Sequence, residues 1–142
     1  MSPAARVSGM STLVRICRIV AGLVMLAAAL SKIGAPAVFA GQIENYDLVP
    51  VGFENLIAIT LPWIEFLAGL ALVLGVRARS GAWLALGMMV VFTLAVAQAL
   101  ARGLNIECGC FGTADASRIG LTKLLENLAF TAVSIVAAMR VE

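Results

Sequence analysis

The sequence predicts an all-α membrane protein: a four-transmembrane-helix bundle with a short interfacial helix after the first span. Three observations carry this. Of the 142 residues, 62% are hydrophobic and only 13% charged, against about 45–50% and about 25% in an ordinary soluble domain. The apolar residues fall into four blocks instead of spreading evenly. Apart from Glu65 and the Lys123/Glu126 pair, the charged residues gather near the ends of those blocks and in the connectors between them. Nothing marks a second domain, so residues 1–142 are read as one.

Residues 1–12 form a Ser/Ala/Gly-containing stretch read as a mobile N-terminal tail. The first span runs from about Leu13 to Ile33, with Arg18 and Lys32 free to snorkel towards opposite surfaces. A basic start, an apolar middle and Ala35-Pro36-Ala37 also describe a cleaved signal peptide. The apolar run is long for that, and cleavage would leave an odd number of spans, so the segment is read as retained.

Phe39, Ile43 and Tyr46 recur at the spacing of one helix face, with Gln42, Glu44 and Asp47 assigned opposite. This is the interfacial helix, ended by Pro50 and Gly52. The second span, about Leu56 to Val76, contains Pro62, which removes a backbone donor, and Glu65 deep in the apolar run. Arg77, Arg79 and Ser80-Gly81 read as a tight turn into a third span, about Ala82 to Ala101. Its Ala95, Ala97, Ala99 and Ala101 suit close helix packing. Thr113 to Ser117 reads as helix-initiating sequence before a fourth span, about Ile119 to Met139. Ala21-Gly22-Leu23 faintly echoes Ala68-Gly69-Leu70, without making a repeat.

Composition excludes several functions. The formal net charge is +2 and no basic stripe is interleaved with aromatics, which argues against nucleic acid as a partner. The chain has no histidine. That removes His-ligated haem or zinc, Cys-His nucleophile pairs and Ser-His-Asp triads. Basic residues orient membrane chains. Placing Arg6, Arg15, Arg18, Arg77, Arg79 and Arg140 in the cytoplasm predicts N-in/C-in topology. The connector between the last two spans is then extracytoplasmic.

That connector holds Cys108-Gly109-Cys110, the densest reactive chemistry in the chain. Residues two apart reach disulfide separation only if the backbone turns, which Gly109 permits. A ring so small is strained, and strained, exposed disulfides are the labile ones. A static bridge would stabilise little, because the loop it closes is short. A metal would need further ligands such as Glu107 or Asp115, so none is expected. The redox-active reading is preferred, with Cys17 a packing bystander. Glu65 is the second clue, as a candidate proton relay or ligand group with Lys32 or Tyr46 as neighbours. Glu126 has Lys123 three residues before it and reads more simply as a surface pair.

Lys32 ending the first span, Tyr46 with Leu48 and Pro50, Leu61-Pro62-Trp63-Ile64-Glu65 before Gly69, Arg102-Gly103, and Cys108-Gly109-Cys110-Phe111-Gly112 occur in that order. Together they resemble the MauE branch of the DoxX-like membrane proteins over nearly the whole chain. The resemblance implies a bacterial cytoplasmic (inner) membrane protein that supports disulfide maturation in methylamine utilisation, beside a thioredoxin-like partner. DoxX-like relatives add a link to quinone. The motif positions carried over are Lys32, Tyr46, Glu65, Cys108 and Cys110. The resulting expectation is a thiol–disulfide oxidoreductase component passing electrons between a thioredoxin-like extracytoplasmic protein and the membrane. It has no covalent cofactor, quinone as candidate acceptor, and a homo- or hetero-oligomeric state left open. The alternatives are a non-catalytic assembly or docking factor and, more distantly, a small-solute transporter.

Overall fold

The structure, a computed structural model, describes residues 3–109 and 117–139. It is built of helices: α1 (Pro3–Ile33), α2 (Pro36–Asn45), α3 (Phe53–Leu74), α4 (Ala78–Ala101) and α5 (Leu121–Ala137), with no strand among the described residues. α1 packs on α3 and α5, and α4 on the same two, so the four longer helices close a ring. The short α2 lies against α3. Segments Ser11–Ile33, Phe53–Leu74 and Ala78–Ala101 are long and apolar enough to cross a membrane, the pattern of a multi-pass membrane protein. α5 has 17 residues, short of the ~20 a bilayer needs.

The outer surface is apolar, with Leu23, Ile59, Leu67 and Leu94 all exposed. With hydrocarbon outside, helices gain by close van der Waals packing between small residues, not by hiding leucines. The core follows that rule: Ala21, Ala68, Ala82, Ala85 and Ala137 are buried around Met25 and Leu72, with Cys17 packed against them. Gly22 and Gly69 mark where α1 and α3 touch. A Cβ on Gly69 would stand 2.9 Å from the Gly22 carbonyl oxygen, and one on Gly22 2.9 Å from that of Gly69. The two similar tripeptides in the sequence are therefore the two sides of one helix crossing.

Several boundaries differ from expectation. The segment expected as a tail is already helical from Pro3, a residue suited to the first helical position. The turn between α3 and α4 is Gly75 to Arg77, not Arg77 to Gly81. Gly75 ends α3 at φ 75°, Arg77 adopts φ 48°, and Arg79, Ser80 and Gly81 already belong to α4. Gly81 sits against Ala68 and Ala71 of α3, so the glycine serves packing and not the turn. In α4 the close-packing alanines are Ala78, Ala82, Ala85 and Ala99, while Ala101 is exposed. α5 begins at Leu121, not near Ser117. Residues 117–119 are committed elsewhere: Cys108 N–H donates to the Ser117 carbonyl (3.0 Å) and Ile119 N–H to that of Ile106 (2.9 Å).

Two guanidiniums fasten one end of the ring. Arg18 Nε donates to the Ala137 carbonyl at 2.8 Å, and Arg79 Nε to that of Ala138 at 3.4 Å. These are the unpaired carbonyls at the C-terminus of α5, where cations also complement the helix dipole.

Candidate functional site

The opposite end, where α1 and α4 finish, carries most of the candidate residues. Lys32 closes the last turn of α1 and Glu65 stands mid-way along α3. Both side chains are fully buried, with Lys32 Nζ 2.8 Å from Glu65 Oε1 and 3.0 Å from Oε2. Two aromatic faces complete the ammonium's surroundings, Phe39 at 5.0 Å and Phe92 at 5.1 Å. A buried ion pair persists only when geometry and extra contacts offset desolvation. Lys32 was expected to snorkel to a surface and does not, because the carboxylate and the two rings are inside the bundle. The expected pairing of Glu65 with Lys32 is present.

Tyr46 is not a partner of Glu65. It is buried at the end of α2, and its hydroxyl donates to the carbonyl oxygen of Cys108. The Tyr46 carbonyl in turn accepts from Arg102 Nη1 at 3.1 Å, and Arg102 also bonds Gln98 Oε1 at 3.1 Å. The C-terminal end of α4 is thus tied to the end of α2.

Cys108 was expected on an exposed loop but is 6% exposed. α2 covers it, and its backbone is engaged by Ser117 and Tyr46. Gly109 adopts φ 76°, so the backbone does turn at the residue between the two cysteines. Cys110 itself lies outside the described residues, and with it the sulfur–sulfur geometry. Gly109→Ala is expected to lower stability by about 1–2 kcal/mol, the cost of a side chain in the left-handed region. Thermal unfolding in detergent checks this. The new Cβ would also meet the Gln42 side chain at 3.1 Å.

Between α2, α3, α4 and the 108–109 backbone lies an apolar cleft of about 170 Å³. Its walls include Phe39, Tyr46, Leu61, Phe92 and Cys108. That is room for one six-membered ring, judged against the roughly 150 Å³ cavity that holds benzene. Lys32 and Glu65 do not line it; they sit behind Phe39 and Phe92. Glu126 belongs to neither group. It pairs with Lys123 at 2.9 Å on α5, as its spacing suggested.

Sequence reasoning missed Gln42 and Arg102. Gln42 was assigned to the outer face of α2, yet it is 4% exposed and its Nε2 donates to Glu107 Oε2 at 3.1 Å. At 3.6 residues per turn it falls only about 60° from Phe39 and about 40° from Tyr46. The wheel placed it inside, and polarity alone argued otherwise. Arg102 stood in the sequence as half of the Arg102-Gly103 motif, with no role attached to its side chain.

The family model described as methylamine utilisation protein MauE matches residues 10–140. Among individual relatives, the methylamine utilization protein MauE of Paracoccus denitrificans is 32% identical over 85% of this chain and 66% of its own length. That of Methylophilus methylotrophus is 34% identical over 84% and 65% respectively. That of Methylorubrum extorquens is 39% identical over 63% of this chain and 48% of its own. The chain therefore spans about two thirds or less of the length of these curated relatives. No solved structure matches it. With nearly the whole sequence aligned to one family and the all-helical, multi-pass architecture in place, the chain belongs to the MauE family.

Proposed function

We propose that this protein is a thiol–disulfide oxidoreductase component of the bacterial cytoplasmic membrane, with a role in methylamine utilisation. It exchanges electrons with an extracytoplasmic thioredoxin-like protein through Cys108 and Cys110. The observation that supports this reading is the place of Cys108: in the wall of an apolar cleft, beside a turned glycine, at one end of a membrane bundle. The orientation is N-in/C-in with the Cys-Gly-Cys connector outside, and α5 with its flanking residues makes the fourth crossing.

In the exchange, a partner thiolate attacks one sulfur of the Cys108–Cys110 disulfide. That S–S bond breaks, the other cysteine leaves as thiolate, and a mixed disulfide forms. The partner's second thiol then closes the partner's own disulfide, leaving the pair reduced and the partner oxidised by two electrons. The cleft fits a quinone ring by size and by its phenylalanine walls. A quinone, when bound, would accept the two electrons and two protons that regenerate the disulfide. Tyr46 holds the Cys108 backbone at the cleft wall, and Phe39 and Phe92 separate the cleft from the Lys32–Glu65 pair.

Single-cysteine trapping tests the proposal. Cys108→Ser and Cys110→Ser variants purified from cells are each analysed for a protein held in a mixed disulfide. A thioredoxin-fold client on one of them is the expected result. Clean protein from both, with unchanged cellular thiol oxidation and unimpaired assembly of the client, would replace this reading with that of a docking factor.

A further inference from the structure

We infer that Gln42 is a positioning residue for the Cys108 thiol, and that α2 sets the thiol's accessibility through it. Two residues on one face of α2 and its C-cap, Gln42 and Tyr46, meet the three successive residues 107, 108 and 109. Gln42 Nε2 donates to the Glu107 carboxylate, Tyr46 donates to the Cys108 carbonyl, and the Gln42 side-chain atoms lie where any Cβ on Gly109 would come within 3.1–3.4 Å. Gln42 therefore flanks Cys108 on both sides at once: a charge-assisted bond on the preceding residue, and a side chain occupying the space beside the following glycine. A buried amide is tolerated only when hydrogen-bonded, and this one ends on a carboxylate, the stronger kind of acceptor. The left-handed turn at Gly109 then presents no side chain to push Gln42 away.

The inference rests on the proposed thiol chemistry for its purpose but not for its test. The test uses reduced protein in detergent micelles with Cys17→Ser and Cys110→Ser, so that only Cys108 reports. The readout is its alkylation rate with a maleimide, followed by mass spectrometry. Gln42→Glu sets one carboxylate against another and is expected to speed alkylation about tenfold, the effect of losing one hydrogen bond to a charged group. Adding Glu107→Gln restores an amide–carboxylate bond with its ends exchanged, and the rate is expected to return to within about twofold of the parent. A residue that merely fills space gives no such rescue. If Gln42→Glu does not fold, Glu107→Gln alone keeps a neutral bond and is expected to raise the rate about threefold. Unchanged rates in the single variants, or no restoration in the double, would overturn the inference. Reciprocal rescue together with an empty cysteine trap would instead leave the positioning role standing and remove the redox role.

Discussion

Glu65→Leu is expected to destabilise the protein by about 3–5 kcal/mol, because it strands a fully buried ammonium without its counter-charge. Lys32 is fully buried against two phenylalanine rings, so it cannot reach solvent without withdrawing from the bundle. Lys32→Met should cost a similar amount by stranding the carboxylate. The informative variant is the double, Lys32→Met with Glu65→Leu, which removes both charges and keeps roughly the same volume. Replacing a whole buried pair by apolar residues is often neutral or stabilising, so the double should approach the parent. Thermal unfolding in detergent, arranged as a double-mutant cycle, reads this directly. Additive losses would mean that the two groups do not act as a pair. If the double folds normally but loses function in cells, the pair serves chemistry and not stability.

The helix crossing gives the second large effect. Gly69→Val would drive its Cβ to 2.9 Å from both the Gly22 carbonyl oxygen and Leu26 Cγ, and to 3.1 Å from the Leu26 nitrogen. Two of those atoms are backbone and cannot rotate aside, so α1 and α3 must separate. Overpacking of this kind costs about 1–3 kcal/mol for one methyl group and more for a branched side chain. Small residues at such a contact are what let membrane helices approach. Gly87→Ala is the control. It lies in α4 with nothing within 4 Å of the added carbon, and should be neutral or stabilising by up to about 1 kcal/mol. A shift in melting temperature for Gly69→Val no larger than for Gly87→Ala would show that the crossing is not tightly held.

Much of the fold was legible because hydrocarbon imposes simple rules. Each apolar block had to become a helix, since only a helix satisfies its own backbone there. What the blocks do not encode is how they meet. The similarity between residues 21–23 and 68–70 was visible as pattern, but its meaning as a contact needed both helices in place. The Lys32–Glu65 pair was foreseeable because two opposite charges in apolar runs have few other options. Their full burial was not, since Lys32 stands near a helix end where snorkelling is the ordinary outcome. Gln42 and Cys108 were misplaced for one shared reason. Polarity and loop location were taken as exposure, while α2 folds back to cover the loop with its polar residue turned inward. The start of α5 was set too early because Thr113 to Ser117 has the composition of a helix start, and long-range pairing at 106–108 overrode it.

The cover over Cys108 also bears on chemical damage. A thiolate open to solvent can be carried past the sulfenic stage to sulfinic acid, from which there is no general return. Small oxidants reach only what is accessible, and Cys108 is buried, with Tyr46 on its carbonyl and Gln42 over the neighbouring Gly109. While α2 stays seated, the approach of stray peroxide is narrowed to the apolar cleft that Cys108 lines, where a polar oxidant is poorly solvated.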